Sequence, residues 1–127
     1  QNWAARIVTK TPKYSHITPT LKELHWLPAK QRIIYKIGRM TYKRLNNLYP
    51  PYLNQLISTR TQNGNLRSNS SNKLTKPLIK CDTFGGQAFT FSSPSVWNSL
   101  PDELRNSTCL SKFKTLLKTY LFDRYFT

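Results

Sequence analysis

A helical pattern of polar and apolar positions runs from Pro28 to about Asn46. Proline suits the first turn of a helix because it has no N–H to leave unpaired, and Asn46-Asn47 suits a C-terminal end. Apolar residues recur at intervals of three and four and predict an apolar sector made of Ile33, Ile37 and Met40, with Ile34 and Thr41 beside it. The pattern predicts the longest helix of the chain.

Shorter helices are predicted on both sides of it. Residues 1–9 resemble the end of a helix that begins upstream, since we interpret the chain as a piece of a longer protein. Thr18 and Pro19 suit the N-cap and first position of a second helix, although Thr20 to Glu23 also fits a capping box. A third is predicted from Pro51 to Ile57. Together these elements make residues 1–57 a helical basic segment.

Residues 58–73 have a different composition, with one leucine among sixteen mostly polar positions. A segment that cannot bury apolar surface is typical of a loop or a disordered linker. The same segment carries Arg60, Arg67 and Lys73, so it is either a solvated tether or a flexible basic segment that orders on a nucleic acid.

The alternation of side chains beyond the linker predicts a small β-hairpin. Leu74 to Lys80 suits an edge strand, because Pro77 cannot donate to a central one. Gly85-Gly86 suits a turn, and Gln87 to Phe91 alternates apolar and polar residues.

Helical patterns return after the hairpin. They predict a turn over Pro94 to Leu100, a short helix from Pro101, and a last amphipathic helix from Cys109 to about Phe122. The apolar side of that last helix is predicted to hold Leu110, Phe113, Leu117, Tyr120 and Leu121. The expected fold class is therefore α+β and mainly helical, with a hairpin plus helices over 74–127, and the whole chain forms one accessory domain of a longer polyprotein.

Charge adds the first indication of function. The 127 residues contain 20 Lys+Arg against 5 Asp+Glu, for a formal net charge of +15. Such a balance favours a polyanionic partner, with nucleic acid first and an anionic membrane surface second. No apolar run is long enough to span a membrane. The long helix also lacks the face of bulky Trp, Phe and Leu residues that membrane-surface helices use, so we expect no membrane partner.

Chemistry-bearing residues are scarce. Five carboxylates make a carboxylate-pair hydrolase or an acidic two-metal centre improbable. The two cysteines, Cys81 and Cys109, and the two histidines, His16 and His25, lack the spacing of a zinc site. The sequence therefore predicts no catalytic residue, no bound metal and no cofactor.

The long helix carries a basic stripe made of Arg32, Lys36, Arg39 and Lys43. Spacings of four, three and four place these cations within about 60° of arc. Tyr35 and Tyr42, seven residues apart, are predicted to line the edge of the stripe. No acidic residue occurs between Glu23 and Asp82 to neutralise it. Phosphates pair with rows of cations and unstacked bases with aromatic rings, so the pattern favours nucleic acid over an ordinary solvated face.

Two further features are weaker. Lys114 and Lys118 share one face of the last helix and can extend the contact. Trp26 and Trp97 can each stack on a base, although anchoring in the core is the simpler interpretation of a tryptophan beside leucine and proline.

Several short runs, taken together and in order, resemble a known family across nearly the whole chain. They are Gln1-Asn2-Trp3-Ala4-Ala5-Arg6, His16-Ile17-Thr18-Pro19, Leu24-His25-Trp26-Leu27-Pro28, Tyr42-Lys43-Arg44-Leu45-Asn46, Trp97-Asn98-Ser99-Leu100-Pro101 and Phe113-Lys114-Thr115-Leu116-Leu117-Lys118-Thr119-Tyr120-Leu121-Phe122. The chain resembles the C-terminal region, after the thumb, of the reverse transcriptase polyprotein of LINE-type non-LTR retrotransposons in the chicken-repeat group of clades.

The resemblance implies a place in a larger enzyme that copies its RNA at a nick in target DNA. It implies that the parent protein is an RNA-directed DNA polymerase whose catalytic aspartates lie upstream, and that this fragment is not itself an enzyme. The expected partners are RNA, DNA or both, and the upstream polymerase domains. The expected location is the nucleus or cytoplasm, without secretion. The alternative function is a structural module that braces or dimerises the polymerase.

Overall fold

The described part of the chain is helical. A computed structural model describes residues 1–51, 56–57, 73–78 and 88–127. It is 66% helical, and the described ranges contain no strand. The helices are α1 (Asn2–Thr9), α2 (Ile17–Glu23), α3 (Ala29–Leu45), α4 (Phe89–Asn98), α5 (Asp102–Arg105) and α6 (Leu110–Phe126).

The predicted β-hairpin is wrong, and the α+β class with it. Phe89 to Phe91, assigned to the second strand, form the first turn of α4, and residues 73–78 contain no strand. Leu74 is held by the side-chain amide of Asn98: the amide oxygen accepts from Leu74 N–H and the amide nitrogen donates to Leu74 C=O, both at 2.9 Å. A short alternating run cannot distinguish a strand from a helix whose first turn is half-buried. The predicted Gly85-Gly86 turn, all but the last residue of the predicted 58–73 linker and most of the Pro51–Ile57 helix lie outside the described residues.

Helix positions elsewhere follow the sequence closely. Pro28 is the N-cap of α3, which ends at Leu45, and Pro101 is the N-cap of α5. The second helix begins at Ile17, and its N-cap, His16, lies two residues before the predicted N-cap, Thr18. The last helix continues one turn beyond Phe122.

The first three helices end in the same way without a glycine. Lys10, His25 and Asn47 have φ values of 54°, 53° and 54°, in the left-handed region that follows a helix end. After α2, His25 N–H donates to Lys22 C=O at 3.1 Å and Trp26 N–H donates to Leu21 C=O at 2.9 Å. This pair of bonds is a Schellman motif, in which glycine is the usual residue at the left-handed position. His25 therefore holds a conformation that costs a non-glycine residue about 1–2 kcal/mol.

The core lies where α3 packs on α4 and α6. Tyr42, Trp97 and Phe113 meet at its centre: the rings of Tyr42 and Phe113 stack with centroids 4.3 Å apart, and Trp97 lies 5.9 Å from Phe113. The Tyr42 hydroxyl donates to the backbone carbonyl of Ser107 at 2.9 Å, so the buried phenol is satisfied. The predicted apolar side of α6 is confirmed, since Phe113, Leu117 and Leu121 are fully buried.

The buried side of α3 differs from the predicted apolar sector. Ile33 is 61% exposed, whereas Gly38, Thr41 and Tyr42 face the core. Thr41 is satisfied by its hydroxyl bonds to the Ile37 carbonyl and to Ser93. The prediction was based on large aliphatic side chains. The contact of α3 with α6 depends instead on Gly38, which has no side chain and therefore does not show in a hydrophobic pattern.

Gly38 allows α3 and α6 to approach closely. A Cβ placed there would lie 3.1 Å from Leu117 Cδ2. We expect Gly38→Leu to lower the free energy of unfolding by about 1–3 kcal/mol, because the longer side chain overpacks this contact. Gly38→Ala is the matched control and should be near neutral, since its gain in helix propensity of about 1 kcal/mol offsets a small shift of Leu117. Urea unfolding followed by circular dichroism measures both, and equal stability of Gly38→Leu and the parent chain would contradict the prediction.

Candidate nucleic-acid interface

Three of the four stripe cations lie exposed on the outer side of α3. Arg32, Lys36 and Arg39 point away from the core because the opposite side of the helix packs against α4 and α6. At 1.5 Å rise per residue, the row extends about 10 Å along the helix axis. None of the three forms an ion pair or hydrogen bond with another described residue. The row is therefore a set of free cations with fixed spacing, which we call the basic row.

The basic row borders a surface groove with a volume of about 510 Å³. The described residues that line it all belong to α3: Ala29, Arg32, Ile33, Tyr35, Lys36 and Arg39. A half-buried tyrosine and an exposed isoleucine thus lie among three cations. This mixture can contact the phosphates of a strand together with its sugars or bases.

The remaining predicted binding residues are placed differently. Lys43 is half-buried and its ammonium lies 5.6 Å from the centroid of the Tyr49 ring, so it already has a cation–π partner. Tyr42 is 2% exposed and belongs to the core rather than to the edge of the stripe. Lys114 is half-buried on α6 and is not among the lining residues of the groove. Lys43, Tyr42 and Lys114 are therefore left out of the interface proposed below.

Lys118 joins Arg32 and Tyr35 in a second concavity next to the groove, which we call the aromatic pocket. Its volume is about 620 Å³. It is lined by Gln1, Ala4, His25, Trp26, Leu27, Arg32, Tyr35 and Lys118. Because Arg32 and Tyr35 line both concavities, the groove and the aromatic pocket are direct neighbours on the surface. Cations from two different helices and three aromatic rings meet there.

The turn between α2 and α3 builds the aromatic pocket. His25 ends α2 in the left-handed conformation, and the two residues after it, Trp26 and Leu27, line the pocket with it. The Gln1 side-chain amide donates to Leu27 C=O at 2.6 Å, which joins the start of α1 to the turn. On the α6 side, the His25 ring stacks on Phe122 with centroids 5.2 Å apart and an interplanar angle of 24°. The start of α1, the turn after α2 and α6 together fix the positions of the aromatic residues in the turn.

No ion pair among the described residues neutralises the cations of this surface. Within the described residues the one ion pair joins Arg105 to Asp102, one turn apart on α5 and away from the basic row. Arg105 itself is buried and cannot contact a partner. With a formal charge of +15 on the chain, the exposed cations keep most of their attraction for a polyanion.

Cys109 has a perturbed thiol at the start of α6. Backbone N–H groups of Lys112 and Ser111 donate to its sulfur and lower its pKa below the ordinary value for cysteine. A lowered pKa raises the thiolate fraction in the folded chain at pH values below both the folded and the unfolded pKa. The thiolate is the form that reacts with alkylating agents.

We therefore expect Cys109 to react faster with iodoacetamide near neutral pH in the folded chain than in urea. The measurement uses a Cys81→Ser chain, so that a single thiol reports. The advantage should disappear at high pH, where both states are fully ionised and the thiolate of lower pKa is the weaker nucleophile. A folded-state rate below the unfolded rate near neutral pH would show that the N–H donors do not stabilise the thiolate.

Other kinds of site receive no support from the described ranges. They contain no cluster of three or more histidine, cysteine, aspartate or glutamate side chains able to hold a metal ion. No described helix combines the length and the apolar character needed to cross a bilayer. In comparisons with known proteins, no family model, no curated protein and no solved structure matches the chain.

Sequence reasoning found the basic row but missed most of the aromatic pocket. Trp97 was correctly assigned to the core, whereas Trp26 is half-buried and lines the pocket. His25 carried no recognisable signal, because nothing in the local sequence shows that its ring lines a pocket with residues of α1, α3 and α6. The approach of Lys118 to Arg32 depends on the packing of α6 against α3, which no local pattern reveals.

Proposed function

We propose that this chain is a non-catalytic nucleic-acid-binding domain that grips template RNA, primer DNA or their hybrid. By the resemblance described above, it would serve a non-LTR retrotransposon reverse transcriptase during target-primed reverse transcription. The observation that carries the proposal is the exposed, unpaired row of Arg32, Lys36 and Arg39. The helix already fixes the spacing of these cations, so they can pair with the phosphates of a strand without any folding of the backbone on binding.

The position of the aromatic pocket beside the groove supports the same function. Arg32 and Tyr35 belong to both concavities, so a strand that runs along the basic row passes a surface with exposed ring faces. Rows of cations combined with aromatic rings are the common means of binding single-stranded nucleic acid with little sequence preference. Sequence-independent contact is what an enzyme that copies a whole element requires.

A structural role in the polymerase is the second candidate, and α1 favours it. Trp3, Ile7 and Val8 on this helix are 77%, 58% and 61% exposed. Exposed apolar residues grouped on one helix are typical of a contact with another protein surface. In this alternative the helix would brace neighbouring polymerase domains, and the charge would serve mainly for solubility.

Filter binding separates the two functions. The purified chain is mixed with a single-stranded RNA of about ten nucleotides, and with a duplex of equal length, at about 50 and 200 mM salt. The proposed function predicts measurable binding at low salt and a steep loss of affinity at the higher salt. Absence of binding to either nucleic acid at low salt would favour the bracing function instead.

A further inference from the structure

We infer that the aromatic pocket receives one unpaired base of a bound single strand, while Arg32 and Lys118 hold the phosphates on either side of it. This inference rests on the proposed function and adds the ligand of a second subsite. The residues that carry it are His25, Trp26, Leu27, Arg32, Tyr35 and Lys118.

The size and composition of the aromatic pocket suit a nucleotide. A volume of about 620 Å³ lies within the range of roughly 300–1,000 Å³ that small-ligand pockets have. Its apolar part comes from Trp26, Tyr35 and Leu27, and its charge is wholly positive. A nucleotide has a flat base that can stack on the rings and a negative phosphate that can pair with the cations. An aliphatic ligand would leave the cations unpaired, and a cationic ligand would be repelled by them.

The availability of ring surface supports stacking. His25 is exposed even though its imidazole stacks on Phe122, so part of the side chain is accessible to a ligand. Trp26 and Tyr35 are half-buried, which fixes the rings and still leaves part of each accessible. Pre-positioned rings lose little conformational entropy when a base stacks on them.

The left-handed turn at His25 places its imidazole and the following Trp26 together in the lining of the pocket. Lys10 and Asn47 hold the same conformation after α1 and α3, so the conformation is this chain's common way of ending a helix. What distinguishes His25 among the three is the aromatic ring that this position carries into the pocket lining.

The two cations of the pocket come from different helices. Arg32 belongs to α3 and also begins the basic row, whereas Lys118 belongs to α6. A strand that follows the basic row can therefore continue between these residues with a phosphate on each. This arrangement requires the base between them to be unpaired, because a base of a duplex cannot turn into the pocket without disrupting its pairing.

Trp26→Leu tests the inference, with Trp3→Leu as the matched control. The substitution keeps an apolar side chain but removes the ring, so affinity for the single-stranded RNA should fall by about 5- to 150-fold. Affinity for the duplex and the salt dependence should not change, because no phosphate contact is lost. Trp3 is 77% exposed and does not line the pocket, so its replacement should leave both affinities unchanged.

His25→Gly provides a second test. Glycine relieves the left-handed strain but removes the ring that stacks on Phe122, so heat stability should change little while binding to single-stranded RNA weakens. Asn47→Gly changes the equivalent position after α3 and should leave binding unchanged. Lower affinity at a similar Tm, found for His25→Gly and not for Asn47→Gly, is the expected signature of a ring that contacts the ligand.

Fluorescence reports the base directly. A single-stranded RNA that carries 2-aminopurine should lose emission on binding to the parent chain, and should lose less on binding to Trp26→Leu. If the RNA binds with its normal salt dependence but neither the tryptophan nor the histidine change affects affinity, the pocket does not receive a base, although the proposed function stands. If the parent chain binds no RNA, the inference and the proposed function fail together.

Discussion

Replacement of Arg32, Lys36 and Arg39 together by glutamine should weaken binding to single-stranded RNA about 100-fold at about 0.1 M salt. Each phosphate contact on a single strand contributes about 0.7 to the slope of log K against log salt, so three lost contacts should make the slope shallower by about 2.1. On duplex DNA the change should be about 2.7, from roughly 0.9 per contact. Filter binding over a range of salt concentrations measures both quantities.

The variant should remain folded. Glutamine has nearly the helix propensity of lysine and arginine, and the three side chains lie on the exposed side of α3. The buried contacts of this helix, through Gly38, Thr41 and Tyr42, are untouched. Circular dichroism at equal concentration checks this requirement before binding is compared.

A control of equal charge shows whether position matters. Lys13, Lys22 and Lys112 are exposed and line neither the groove nor the aromatic pocket. Their joint replacement by glutamine removes the same net charge but no predicted phosphate contact, so it should reduce affinity much less. If both triple variants lose affinity equally, binding depends on net charge alone and the basic row has no special role.

The basic row was predictable from sequence because helical geometry alone generates it. Residues at spacings of four and three lie on one side of any α-helix, whatever packs against the other side. The prediction failed at the edges of the stripe for a related reason. Tyr42 lies at the border between exposed and buried surface, and the side to which such a residue turns depends on what the neighbouring helices offer. Here Phe113 and Trp97 supply ring faces and Ser107 supplies an acceptor, so Tyr42 enters the core.

The helices were predictable where caps and periodicity agree, as at Pro28 and Pro101. The segment over Phe89–Asn98 was not, because Pro94 is normally a boundary signal and here lies inside α4. Proline lacks the N–H that would donate to the carbonyl four residues earlier, and the helix nevertheless continues through it. Burial of Ser93, Pro94 and Trp97 against the other helices shows that tertiary packing outweighs the local preference.

The aromatic pocket was the least predictable feature, because its lining residues come from separate parts of the chain. Lys118 and Arg32 are far apart in sequence and line the same pocket because α6 packs against α3. The approach of these two helices depends on Gly38 facing Leu117. The position of Lys118 beside the pocket thus depends on a glycine whose only contribution is the absence of a side chain.

Trp97→Ala should have the largest effect on stability. Trp97 is 1% exposed, and its ring lies 6.5 Å from Tyr42 and 5.9 Å from Phe113. Truncation of a buried tryptophan costs about 3–5 kcal/mol, through lost burial and the cavity that remains. A domain of this size has a total stability of about 5–15 kcal/mol, so the variant should be marginally folded or unfolded at 37 °C. Urea unfolding followed by circular dichroism measures the loss, since tryptophan emission would change with the substitution itself.

Trp3→Ala is the matched control, because it removes the same side chain from a position that is 77% exposed. Its effect on the free energy of unfolding should stay within about 0.5 kcal/mol. The two variants also separate folding from binding: Trp97→Ala should lose RNA affinity only to the extent that it unfolds, and should recover it at lower temperature. A loss below about 1 kcal/mol for Trp97→Ala would contradict the core described above, and with it the packing that brings Lys118 to Arg32.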